Sequence, residues 1–123
     1  MEFDHPKGIY QQIAEQLRDR ILQGEWAGGE RFPSIREMAV TLGVNPNTVT
    51  RSYQSMVDRG IIENRRGIGY FVTGEAERKI LDERKTEFIR EELPRIFRTM
   101  ELLAIGIDEL AGHFAAYRGR KEG

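Results

Sequence analysis

VNPNTVTRSYQ, residues 44–54, opens on an Asn-Pro pair and then carries Asn47, Thr48, Thr50, Arg51 and Gln54 among ordinary core residues. Asn45 has the short amide that accepts a hydrogen bond at a helix start, and Pro46 suits the first helical position, where its missing N–H costs nothing. The helix begun there is expected to run from 46 to about 59 and to stop at Gly60. At about 100° per residue, Val49, Tyr53, Met56 and Val57 fall on one side. Asn47, Thr50, Arg51 and Gln54 fall on the other, with Thr48 on the flank near the N-terminus. The outward side is short, polar and poor in the Glu and Lys that ordinarily solvate a helix. Its side chains suit base-pair edges: Asn and Gln pair bidentately with adenine, Arg with guanine, and Thr touches the thymine methyl or a phosphate.

The flanking segments give this helix a setting. Upstream, Ser34-Ile35-Arg36-Glu37 has the form of a capping box, Ile35, Met38, Ala39 and Leu42 make an apolar stripe, and Gly43 closes a short helix. Free N–H groups at Ser34 and Asn45 would suit phosphate oxygens, because a helix N-terminus carries partial positive charge. Further upstream, Ile9, Ile13, Leu17 and Ile21 recur at helical spacing with polar residues between, so residues 7–23 read as an amphipathic helix ended by Gly24. GEWAGGERFP, residues 24–33, is then a connector pinned to the core by Trp26 and Phe32. Downstream, IIENRRGIGYFVT reads as strands over 61–64 and 69–73, with Gly67 and Gly69 in the turn and Arg65 and Arg66 at its tip. Helix, helix, turn, helix, hairpin is the order of a winged helix-turn-helix, in which the second helix of the motif enters the DNA major groove. Taken alone, the capping residues read more simply as good caps and Arg65 and Arg66 as a solvated hairpin tip, while Arg51 and Gln54 fit a solvated face and a base contact equally. Their succession favours DNA.

From Gly74 the composition changes. GEAERKILDERKTEFIREELPRIFRTMELLA is dense in charge, with Ile80, Phe88, Leu93, Ile96, Phe97, Met100 and Leu103 inside, and predicts a long helix kinked or broken near Pro94. Gly106 interrupts it, and Asp108 is expected to cap a last helix whose Leu110, Ala111, Phe114 and Tyr117 share one side. A tail of two such helices cannot bury both faces alone, which points to packing against another subunit. The fold class is therefore mainly α with a small β-hairpin: a winged helix-turn-helix over 1–73, then a two-helix dimerisation tail over 74–123.

At 123 residues, 39% apolar and 32% charged, the chain is large enough to bury a core and too small for a two-domain enzyme. It contains no cysteine, which excludes disulfides and thiolate zinc sites and fits a reducing compartment. No stretch approaches a membrane span and the N-terminus carries no long apolar run, so the reading is cytoplasmic with no membrane partner. The net charge of −1 gives no general attraction to a polyanion, so any positive face is local. Residues 45–73 supply one, with Arg51, Arg59, Arg65 and Arg66 against Asp58 and Glu63. Neither His5 nor His113, read as a partly buried helix residue, builds a catalytic or metal site. Asp82, Glu83 and Glu87 read as the wet side of a helix. No cofactor is expected, and the protein is expected not to be an enzyme. The rival from another class is a winged-helix protein-interaction scaffold without DNA binding. Steep weakening of DNA binding by salt separates the two.

The span from Gly24 to Val72, GEWAGGERFPSIREMAVTLGVNPNTVTRSYQSMVDRGIIENRRGIGYFV, closely resembles the DNA-binding domain of GntR-type bacterial transcription regulators. The NPNTV motif, the ELPRIF segment from Glu92 to Phe97 and the short tail resemble the YtrA-like subgroup, whose two tail helices serve dimerisation. The resemblance implies DNA contacts at Arg36, Asn45, Asn47, Thr48, Thr50 and Arg51, and in the wing at Arg65, Arg66 and Gly67. Pro46 departs from the pattern: many relatives have a basic residue there, and Pro46 donates no hydrogen bond, so their base preference does not transfer. The resemblance implies a homodimeric repressor on a near-palindromic double-stranded DNA operator, without the large effector domain of other subgroups, for which the residues after Thr73 leave no room. An unidentified small-molecule effector held by the tail is compatible with this pattern, and no residue marks one.

Overall fold

Ile13, Leu17 and Ile21 recur once per turn and are buried, and they fix the inner side of α1 (Ile9–Leu22). The computed structural model describes residues 8–122, so His5 lies outside the described residues. After α1 follow β1 (Arg31–Phe32), α2 (Ile35–Leu42), α3 (Pro46–Asp58), β2 (Ile62–Arg65) and β3 (Gly69–Val72). Then come α4 (Ala76–Glu87), a π-helical turn (Phe88–Glu92), α5 (Leu93–Leu103) and α6 (Ile107–Glu122). The protein is mostly helical, with one small antiparallel sheet ordered β1-β3-β2.

β1 is absent from the sequence reading, which treats residues 24–33 wholly as a connector. Arg31 and Phe32 pair with Phe71 and Tyr70 of β3, and a strand of two residues is too short to show an alternating pattern. Phe32 is buried and anchors an aromatic row: its ring lies 4.7 Å from Trp26 and 5.2 Å from Tyr53, which lies 4.9 Å from Tyr70. The Tyr53 hydroxyl donates to the Pro33 carbonyl at 2.8 Å, and burial pushes its phenol above the ordinary range. The loop before α2 is thus tied to the helix that follows α2.

Both helix starts around the turn are capped as their sequences require. Glu37 N–H donates to Ser34 Oγ at 3.1 Å and Ser34 N–H donates to the Glu37 carboxylate at 2.9 Å. The backbone bond from Ser34, with help from its hydroxyl, holds the Glu37 carboxyl below its usual value. Gly43 ends α2 in the left-handed region at φ 68°, which favours glycine. Asn47 N–H donates to Asn45 Oδ1 at 2.7 Å, and Pro46 occupies the first turn of α3.

The chain divides into two compact units, one reaching Glu83 and the other starting at Arg84. The first extends past the change of composition at Gly74 because Ala76 and Ile80 of α4 are buried in its core. Arg18 belongs there too, at 2% exposure, against the expectation that the charged residues of α1 face solvent. Its Nη1 lies 3.3 Å from Glu83 Oε1, and Glu83 also receives Arg59 through two bonds, of 3.1 and 2.8 Å. Burial raises the pKa of the Glu83 carboxyl, but the hydrogen bonds and charges of Arg59 and Arg18 outweigh it and hold the group below its ordinary value. The expected wet helix face at Glu83 is therefore an ion triad joining α1, α3 and α4.

In the second unit, the expected kink near Pro94 is a single π-helical turn. Pro94 has no N–H to give the Arg90 carbonyl, and Leu93 N–H reaches back to the Phe88 carbonyl instead. α6 begins at Ile107, with Leu110 N–H bonded to the Gly106 carbonyl at 3.0 Å, so Asp108 lies inside the first turn rather than capping it. There it faces the positive end of the helix dipole. Every described residue of α6 is exposed, including His113, which was read as partly buried. Of the apolar tail residues, Met100 is buried, whereas Phe88, Ile96, Phe97, Leu103, Leu110, Phe114 and Tyr117 are exposed in the single chain. Among the described residues no helix is long and apolar enough to cross a membrane.

Candidate nucleic-acid interface

α3 presents the two sides its sequence implies. Val49, Tyr53 and Met56 are buried, together with Ser52, while Asn47, Thr50, Arg51 and Gln54 are exposed and Thr48 is half-buried. The hydrogen bonds within this face decide what each side chain still offers. Asn45 spends its carbonyl oxygen on the cap, so its NH2 group remains as a donor. Thr50 donates its hydroxyl to the Pro46 carbonyl at 3.0 Å, leaving only lone pairs and a methyl group for a partner. Gln54 Nε2 donates to Asp58 Oδ1 at 2.8 Å, so half of its amide is occupied along the helix.

Arg51 has a different setting. Its guanidinium carbon lies 4.1 Å from the ring centroid of Tyr10, at the start of α1. The two line one shallow groove with Gln54, Ser55, Asp58 and Arg59. Tyr10 was not singled out from the sequence. It lies off the Ile9-Ile13-Leu17 stripe, and no local pattern connects it to a residue of α3.

On α2, Arg36 is exposed in the first turn and has no ion-pair partner among the described residues. The capping box occupies the Ser34 N–H that was expected to be free, so the donors left at this terminus are those of the following residues, Ile35 and Arg36.

The hairpin separates the two wing arginines. Arg65 bonds to Glu63, with Nε at 2.9 Å and Nη2 at 2.8 Å, and lies 4.1 Å over the Phe71 ring. Arg66, beyond the last residue of β2, is exposed with no partner among the described residues. Gly67 follows at φ 76°, and a Cβ there would meet open space, so the turn's conformation, and not crowding, requires glycine. The strands pair Arg65 with Gly69, and Ile68 N–H returns to the Arg65 carbonyl at 2.8 Å, which holds the tip in shape.

A capped turn, a second helix with a polar face nearly free of acids, and a glycine-bearing hairpin with a basic tip define a DNA-binding winged helix-turn-helix protein. Comparison with known proteins carries this further: the chain belongs to the GntR family of bacterial regulatory proteins, whose pattern matches residues 9–72. It is 41% identical over 109 residues to the uncharacterized HTH-type transcriptional regulator YhcF of Bacillus subtilis, covering 89% of this chain and 88% of YhcF. It is 31% identical over 102 residues to the HTH-type transcriptional repressor YtrA of the same bacterium, covering 83% of this chain and 78% of YtrA. The crystal structure of a putative GntR-family regulator from Bacteroides thetaiotaomicron aligns with TM-score 0.79 and 40% identity, over 92% of this chain and 99% of that one. The protein is thus a transcriptional regulator of this family, YtrA-like, and not an enzyme.

Proposed function

We propose that this chain is a homodimeric cytoplasmic repressor of a near-palindromic operator, with residues 1–73 binding DNA and residues 74–123 dimerising. The exposed side of α3 carries the DNA reading: Asn47, Thr50 and Arg51 lie together on it with no acid between them. Asn47 and Arg51 read base edges. Thr50, its hydroxyl committed to Pro46, offers its methyl group to thymine. Asn45 and Thr48, at the helix start, and Arg36 and the first N–H groups of α2 position the sugar-phosphate backbone. In the wing, Arg66 and the open backbone at Gly67 hold phosphates or the minor groove. Arg65, paired with Glu63, shapes the tip and gives up less charge to the DNA.

α6 supports the homodimer. Its Leu110, Phe114 and Tyr117 are exposed in the single chain, and a helix with an uncovered apolar side gains little from forming alone. In the dimer the two recognition helices would enter successive major grooves, about one helical turn apart. The repressor assignment follows the role of the similar transcriptional repressor YtrA.

The decisive experiment measures binding of the purified protein to DNA from upstream of its own gene, against random DNA, at two salt concentrations. Tight, selective, salt-weakened binding supports the reading. Equal binding to both DNAs removes the operator from it. On the operator, Arg51→Ala should lose about 1–3 kcal/mol of specific affinity, whereas Arg66→Ala should weaken every duplex alike and flatten the salt slope by about one charge. Equal losses of both variants on operator and random DNA would overturn this division of roles.

A further inference from the structure

We propose that Tyr10 is a positioning residue for sequence reading: its ring holds the Arg51 guanidinium by one face and leaves the N–H edge free for a base. This rests on the reading that Arg51 contacts a base edge.

Cation–π stacking engages the flat face of a guanidinium, and its N–H groups, which point outward in the plane, stay available for bidentate pairing. Two arginines here show opposite uses of the same stack. Arg65 lies 4.1 Å over Phe71 but spends Nε and Nη2 on Glu63. Arg51 lies 4.1 Å over Tyr10 with no carboxylate on its edge among the described residues. The charged neighbours in its groove are engaged elsewhere. Asp58 accepts from Gln54 at 2.8 Å, and Arg59 is held by Glu83 at 2.8 Å.

Tyr10 is itself fixed against α3. The buried Ser52 hydroxyl, next in sequence to Arg51, has one proton and two acceptors for it, the Tyr10 carbonyl at 2.8 Å and the Thr48 carbonyl at 3.0 Å. The backbone that carries the ring is thus tied to the helix whose arginine the ring holds. An arginine pinned before it meets DNA loses less rotamer freedom when it pairs, and that gain appears only where the pairing is formed.

To test this, the wild-type protein selects its preferred duplex from a random-sequence pool. Wild type, Arg51→Ala, Tyr10→Phe, Tyr10→Leu and the Tyr10→Leu/Arg51→Ala double variant are then titrated against that duplex, its single-base-pair variants and a scrambled duplex. Thermal melting accompanies each titration, and Tyr10→Met replaces Tyr10→Leu if the latter does not fold. Tyr10→Leu should weaken the selected duplex about two- to fivefold and leave the scrambled duplex unchanged. The loss should fall at the base pair where Arg51→Ala loses discrimination, Tyr10→Phe should restore it, and the double variant should be no worse than Arg51→Ala. A Tyr10→Leu loss that is equal on all duplexes, or that adds fully to that of Arg51→Ala, overturns the positioning role and leaves Arg51 as a reader. If Arg51→Ala changes discrimination nowhere, or selection enriches no duplex, the base-reading assignment falls and this proposal with it.

Discussion

Phe114→Glu is expected to convert the proposed homodimer to a monomer and to lower affinity for its proposed operator by about 100- to 10,000-fold, the loss of a second tethered binding module. The effect is large because a dimer holding one half-site presents its other recognition helix to the second half-site at high effective concentration. The winged unit should survive the change, since Phe114 is 59% exposed and every described residue of α6 is exposed in the single chain. A carboxylate placed in an apolar dimer seam would be buried without a partner, which costs far more than it does in water. Sedimentation and DNA titration of the same sample check both halves of the prediction. A dimer with undiminished operator affinity would remove α6 from the interface, and a monomer with undiminished affinity would remove bivalency from recognition.

Glu83→Ala should destabilise the first unit by about 3 kcal/mol, the lower end of the cost of breaking a buried ion pair. Arg18, 2% exposed, would lose the carboxylate 3.3 Å from its Nη1 and keep its contact with Asp19 at 3.2 Å. The cost stays at the lower end because Glu83 and Arg59 reach solvent with 28% and 29% of their side-chain surfaces, and water can replace part of what is lost. The acid dependence follows from the depressed carboxyl. A group whose folded pKa lies below its unfolded value stabilises fully above the unfolded value, here 4.5, and loses that contribution as pH falls through the folded one. Urea unfolding should therefore separate wild type from Glu83→Gln most at neutral pH, with the gap closing below pH 4.5. A gap that is constant with pH would mean that the triad acts by packing and not by charge.

The elements around the turn were legible because their signals are local. Ser34 and Glu37, Asn45 and Pro46, and Gly43 each act on backbone groups within a few residues, so their chemistry can be read in order along the chain. The outward side of α3 follows from helical periodicity alone. By the same rule the exposed apolar residues of the tail mark a surface that wants a cover, and the DNA roles assigned to the site residues remain the proposal above.

Other features depend on residues far apart in sequence. β1 exists because Arg31 and Phe32 meet β3, not because two residues favour a strand. Arg18 and Glu83 look like solvated charges within their own helices, and only the approach of α4 to α1 and α3 joins them with Arg59 in a partly buried triad. Likewise Arg51 and Arg65 are equivalent as letters. The sequence by itself determined the order of helices, their caps and the polar face of α3, since these obey short-range backbone chemistry and a fixed helical period. Tertiary structure alone decided which charges are spent inside the protein and which remain free for DNA, because pairing and stacking depend on distances that folding creates between remote residues.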